Sequence, residues 1–192
     1  MRWDVINHLI STNGYKRYLE IGVQDANSNF NKIVAEYKQA VDPQPRNLVH
    51  FVGTSDEYFA QLPADETFDI IFVDGLHHSD QVLKDIHNSL AHLSFGGTIV
   101  VHDCLPENQQ QQLRFDNGGA WTGDVWKAIV ELKSTRSDLH IEVVDHDWGC
   151  GIISKATGVK LIEIGEVNWS LYESRRNEIL SVISLEEFYE QA

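Results

Sequence analysis

Four consecutive apolar residues, Ile70 to Val73, run straight into Asp74-Gly75. From Ser79 onward, Val82, Leu83, Ile86, Leu90 and Leu93 recur at helical spacing, with Asp80, Lys84, Asp85 and Asn88 between them. A strand that is apolar at every position has no face for water, so both its faces must be covered; the helix that follows covers one of them with a single stripe. This βα unit directs the chain toward a parallel sheet packed between helices and away from a sheet with one wet face.

The rest of the chain repeats the unit. "VINHLIS" reads as an opening helix stopped by Asn13-Gly14, and "YKRYLEIGV" as a first strand. "NFNKIVAEY" reads as a short helix, "KQAVD" as the second strand closed by Pro43 and Pro45, and "LVHFVG" as the third. "SDEYFAQL" is predicted as a helix with Ser55 as its N-cap, "FDIIFVD" as the fourth strand and "GGTIVVHD" as the fifth, entered through Gly96-Gly97. Cys104 to about Thr122 lacks periodicity and is long for a connection, the mark of a binding loop or lid. Within it Gln109 to Gln112 read as solvated. "GDVWKAIVELK" is helical with Trp126 in the core, "HIEVVD" and "CGIISK" form a closing pair of strands, and the tail reads as two helices anchored by Trp169, Tyr172, Ile179, Leu180 and Ile183. The expectation is one domain over residues 1–192, with a core of about 15–155 and a helical extension of about 160–192. Its architecture is a doubly wound α/β fold, an open and mainly parallel sheet with helices on both faces.

In such sheets ligands bind beyond the carboxyl ends of the strands. That edge carries Glu20 and Gly22, Asp42, Gly53 with Thr54 and Ser55, then Asp74, His77 and His78, and finally His102 and Asp103. Acids ending the first two strands suit a ligand with hydroxyls and a positive group, because a carboxylate accepts two hydrogen bonds from a ribose diol. The first turn, "EIGVQDANSN", is neither G-x-G-x-x-G nor a Walker A sequence.

Charge narrows the partners further. Lysine and arginine total 15 against 29 acids, a net charge of −14 without any basic run. Such a surface repels phosphate backbones and anionic lipid, so neither nucleic acid nor membrane is expected, and a cationic or neutral small molecule is. Two cysteines, Cys104 and Cys150, make no disulfide framework and read as small buried hydrophobes; a reducing, cytoplasmic setting is the expectation. No stretch has signal-peptide or membrane-spanning character. The apolar tail residues serve a dimer contact as readily as an intrachain one.

The ordered set "YLEIGV", "VDP", "TSDEYF", "FDIIFVDGLHHSDQVLKDIHNSL", "GGTIVVHDCLP", "GDVWKAIVEL" and "DWGCGII" resembles the class I S-adenosylmethionine-dependent methyltransferases, over roughly residues 15 to 155. The likeness is strongest to the small bacterial branch associated with sugar and natural-product O-methylation. It implies a Rossmann-like sheet of seven strands with the last reversed. It also implies Glu20 and Gly22 as contacts to the methionine part of S-adenosylmethionine, Asp42 as ribose acceptor, Thr54 and Ser55 near the adenine, and Asp74 facing the active centre. Catechol-type relatives hold a metal with the acids corresponding to Asp74 and Asp103. They carry a catalytic lysine where this chain has His77, and an asparagine where it has Cys104. Asp25, Ala26 and Asn27 stand where other members have further glycines.

The chemistry this resemblance implies is displacement at the sulfonium methyl by a small-molecule hydroxyl, with His77 as general base. Either His78 or Asp103 orients it, or Asp74 and Asp103, joined by His102, hold a divalent ion. One of the two histidines has an alternative role capping the helix that follows. Two rival functions use the same residues: a metal-dependent hydrolase built on Asp74, His77, His78, His102 and Asp103, and a non-catalytic nucleoside-binding module.

Overall fold

The computed structural model describes residues 1–47, 49–116 and 118–191. Helix α1, Arg2–Asn13, ends on Gly14 in the left-handed conformation, as the Asn-Gly pair predicts. Strands β1, Arg17–Ile21, β2, Tyr37–Asp42, and β3, Phe51–Val52, lead into α2, Ser55–Gln61. Then come β4, Phe68–Val73, α3, Ser79–Ala91, β5, Leu93–Val101, and α4, Val125–Thr135. The chain closes with β6, Leu139–Val144, β7, Cys150–Lys155, α5, Trp169–Ile179, β8, Val182–Ile183, and α6, Leu185–Glu190.

The strands form a single sheet in the order β3-β2-β1-β4-β5-β7-β6-β8. Every pairing is parallel except those of β7, which runs against both β5 and β6. The reversed seventh strand therefore agrees with expectation, and β8 is an addition: two residues of the tail pair with Val143 and Val144 of β6. Ile70 and Phe72 of β4 pack on the face covered by α1 and α6, while Ile71 and Val73 pack on the face covered by α2, α3, α4 and α5. All four are at most 1% exposed, which is why the strand cannot alternate. Burying such a side chain is worth about 1.5–3 kcal/mol. Trp126 is fully buried against Tyr172, whose hydroxyl donates to the carbonyl of Pro106, and so ties the tail to the body of the sheet.

Three local readings differ from the outcome. The predicted helix over 29–37 is a single 3-10 turn, Phe30–Lys32, because Lys38 reaches back and its Nζ donates to the free carbonyls of Phe30 (2.8 Å) and Ile33 (3.0 Å). The third strand shrinks to Phe51–Val52; of its predicted start, Leu48 lies outside the described residues. Thr54, not Ser55, is the N-cap of α2, in a reciprocal capping box with Glu57. Cys104 and Cys150 are both buried and unpaired. Among the described residues, no helix is long and apolar enough to cross a membrane.

Candidate active site

The carboxyl ends of β1, β2, β4 and β5 open onto one cavity of about 810 Å³. Gly22, Asp42, Thr54, Ser55, Asp74, His77, His102 and Asp103 all line it. One end of the cavity is set by Asp42, whose Oδ2 accepts from the Gln24 N–H (2.8 Å) and whose Oδ1 accepts from the Gln44 N–H (2.7 Å). Asp42 thus shapes the loop after β1 while keeping a lone pair on each oxygen for a ligand. In the middle, Gly22 lies at φ 86° with its N–H on the carbonyl of Val41, and the N–H of Asp74 binds the carbonyl of Ile21.

At the other end two imidazoles bracket two carboxylates. His102 Nδ1 lies 3.2 Å from Asp74 Oδ1 and 3.3 Å from Asp103 Oδ2; His77 Nε2 lies 3.5 Å and 3.3 Å from the same two atoms. Burial disfavours the charged form of Asp74, yet His102, His77 and Arg2 outweigh it and hold the carboxyl well below the usual carboxylate range. Burial likewise opposes the His102 cation, but Asp74 and Asp103 prevail and push its pKa up to about 10. The same balance raises His77. Asp103 sits at φ 61°, and Gln24, Asp147 and Trp148 beside the cavity are also left-handed, at 47°, 50° and 67°. Four of the five non-glycine residues with positive φ among those described therefore cluster at this site, where strain of about 1–3 kcal/mol each is concentrated.

The donors also fit a metal ion. His102 Nδ1 is buried and has no hydrogen-bond partner, and Asp74, His102 and Asp103 bring ligand atoms within 4.8 Å of one another. Separations of 3.2–3.5 Å across the cluster are near the about 3.3 Å edge of a tetrahedron whose ligands lie about 2.0–2.1 Å from the metal. Imidazole with carboxylate suits zinc or manganese better than magnesium.

Two predicted residues stand apart. Glu20 is 1% exposed and lies behind the cavity wall, bonded to the hydroxyl of Tyr18 and to Asn29 Nδ2. Burial pushes its pKa up to about 7, against the lowering effect of those two partners. An acid whose folded-state pKa is raised is most stabilising while protonated, so stability falls as pH climbs from about 4.5 through 7. Glu20→Gln is expected to flatten that decline, measured as melting temperature at pH 5 and pH 8. His78 opens α3 without capping it; its Nε2 meets the carbonyl of Arg114 at 2.8 Å, and Asp124 Oδ1 caps Ser79 in its place. His77 alone of the pair joins the cluster.

The loop after β5 forms one wall. Trp121 stacks on His77 with ring centroids 4.8 Å apart and donates its indole N–H to the carbonyl of Leu113. Asp116 and Trp121 line the cavity. The glutamines, read as solvated, in part hold the loop together. The carbonyl of Gln111 accepts from Thr122 and Gly123, its side chain accepts from Glu107 N–H, and Gln112 accepts from the Trp126 indole.

Three contributors escaped the sequence reading: Arg2, Asp147 and Trp148. Arg2 Nε lies 3.7 Å from Asp74 Oδ2, and its NH1 lies 3.7 Å from Asp147 Oδ2 and 3.4 Å from His102 Nε2. "DWGC" was visible as a motif, but nothing in its local pattern aims Asp147 at the first turn of α1.

A family model described as a methyltransferase domain matches residues 6–104. No curated protein sequence matches the chain at a significant level. Among solved structures, the fold is similar to an O-methyltransferase from Bacillus cereus in complex with SAH, at 13% identity and a TM-score of 0.61, covering 81% of this chain and 80% of that one. It is similar also to an O-methyltransferase from Streptomyces achromogenes involved in tomaymycin synthesis, in complex with SAM, at 16% identity and 0.59, covering 82% and 80%. A SAH-bound methyltransferase from Podospora anserina aligns at 17% identity and 0.57, covering 81% and 78%.

Proposed function

Because the chain belongs to the methyltransferase domain family, whose model spans residues 6–104, we propose that it transfers the methyl group of S-adenosylmethionine to a hydroxyl of a small molecule. The observation that carries this reading is the placement of Asp42, Gly22 and the Asp74–His77–Asp103 group along one cavity. Those are the positions needed for a ribose, a sulfonium tail and a proton acceptor in sequence. The O-methyltransferases with similar folds, solved with SAM or SAH, support the same assignment.

In this mechanism Asp42 receives the ribose hydroxyls, and Thr54 and Ser55 border the adenine. The carboxylates of Asp74 and Asp103 stabilise the positive sulfur side of the cavity. The acceptor oxygen attacks the methyl carbon in line, the carbon–sulfur bond breaks, and the electron pair stays on sulfur as neutral S-adenosylhomocysteine. The hydroxyl proton passes to Nε2 of the His77 imidazole, and Asp74 and Asp103, 3.5 and 3.3 Å from that atom, stabilise the cation that forms. Alignment of the two reactants supplies about 7–11 kcal/mol of the barrier reduction. A divalent ion held by Asp74, His102 and Asp103 would lower the pKa of the acceptor hydroxyl. We infer a neutral, polyhydroxylated acceptor such as a sugar, supported by acids and the Trp121 and Trp148 rings lining the same cavity.

Calorimetry with S-adenosylhomocysteine tests the reading. Micromolar binding is expected, weakened at least about tenfold in Asp42→Ala, the scale of a lost charge-assisted hydrogen bond. No binding in the native protein alongside tight zinc uptake would favour the metal-dependent hydrolase.

A further inference from the structure

Among the described residues, Arg2 is the single lysine or arginine on the wall of the cavity, which it shares with five aspartates: Asp42, Asp56, Asp74, Asp103 and Asp116. Its position is fixed by packing. Val5 and Ile6 of the same helix are fully buried, and the backbone N–H of Arg2 donates to Asp147 Oδ2 at 2.7 Å. The guanidinium is held near Asp74 and Asp147 by charge, yet at 3.7 Å it is beyond hydrogen-bond length from both. Its Nε is buried without a partner, and the closest polar side-chain approach of the guanidinium is that of Nη1 to His102 Nε2, at 3.4 Å. A guanidinium has five donors in a planar fork that matches a carboxylate; here most of that fork is unused and part of it is already stripped of water.

We infer that Arg2 receives the α-carboxylate of the methionine tail of the cofactor, an assignment that rests on the function proposed above. With Asp42 and Thr54 fixing the nucleoside end, the tail runs past Gly22 toward Asp74, and Arg2 stands beside Asp74. The sulfonium and ammonium of the tail are attracted by the aspartates. Its carboxylate is repelled by the same groups and finds in Arg2 the one guanidinium among the described lining residues, beside the buried His102. Helix α1 thereby becomes part of the binding site, and the cavity discriminates nucleosides that carry an amino-acid tail from those that do not.

Paired calorimetric titrations test this, using S-adenosylhomocysteine and 5′-methylthioadenosine, which has the same nucleoside and sulfur but lacks the amino-acid tail. Native protein is expected to prefer S-adenosylhomocysteine. In Arg2→Met its affinity should fall about 10- to 100-fold, the scale of a lost charge-assisted pair, while methylthioadenosine binding stays the same and reports an intact cavity. Arg2→Lys, which keeps the charge without the fork, should fall between the two and serves as the test if Arg2→Met does not fold. Unchanged S-adenosylhomocysteine affinity, or equal weakening of both ligands, overturns the inference. Failure of the native protein to bind either ligand overturns the methyltransferase reading beneath it.

Discussion

Alanine at Gly22 is expected to abolish measurable S-adenosylhomocysteine binding and to cost about 2–5 kcal/mol of stability. Two effects add. At φ 86° any side chain is strained, by about 1–2 kcal/mol. The new Cβ would also fall 2.1 Å from the carbonyl oxygen of Asp74 and 2.4 Å from its carbon, both backbone atoms that cannot rotate away. Relief requires β1 and β4 to part at their carboxyl ends, which moves Asp74 and breaks its N–H bond to Ile21; overpacking of this kind adds about 1–3 kcal/mol. Gly14→Ala is the control. Its φ is 68° but nothing lies within 4 Å, so only the conformational cost should appear and binding should survive. Urea unfolding and calorimetry of both variants decide the matter, and a Gly22→Ala protein with native affinity would show that the close approach of the two strands is not needed for the ligand.

Removal of the imidazole at position 77 is expected to lower turnover by about 10²- to 10⁴-fold, the contribution of a positioned general base, while S-adenosylhomocysteine affinity stays within a factor of a few. The separation follows from the surroundings of His77. Its side chain faces Asp74, Asp103 and the Trp121 ring, whereas its carbonyl accepts from the Asp124 N–H at 3.1 Å. The backbone contact remains in His77→Ala, so the loop keeps its anchor and the loss is confined to proton transfer. Transfer from labelled S-adenosylmethionine to a panel of hydroxylated acceptors, screened first with native protein, reads the effect. Full activity in the variant would remove His77 from the mechanism.

Residues whose fate is set by near neighbours were legible in the sequence. Ile70 to Val73 demand cover on both faces, and the stripe from Val82 to Leu90 demands a sheet beneath it, so the central βα unit and the edge where Asp74, His77, His102 and Asp103 gather followed from spacing alone. Elements decided by distant partners were not legible. Residues 29–37 have helical spacing, but Lys38 takes up the carbonyls that a longer helix would have used. Val182–Ile183 becomes a strand only because β6 lies alongside. Glu20 and Asp42 both end a strand, yet Glu20 points into the layer beneath the cavity, toward Tyr18 and Asn29, and Asp42 points into it. Arg2 enters the cavity through the docking of a helix, so no motif surrounding it in the chain could mark it.

The two margins of the sheet have a consequence for self-association. β3 and β8 are each two residues long, too short to template another strand. Behind them the longer strands are plugged by side chains: His50 Nδ1 accepts the Ala40 N–H at 3.1 Å on one margin, and Lys133 Nζ donates to the Ile141 carbonyl at 2.9 Å on the other. An incoming β-segment from another molecule would have to displace a histidine or a lysine before gaining its first ladder bond. The mixed sheet is thereby insulated against edge-to-edge polymerisation without help from its interior.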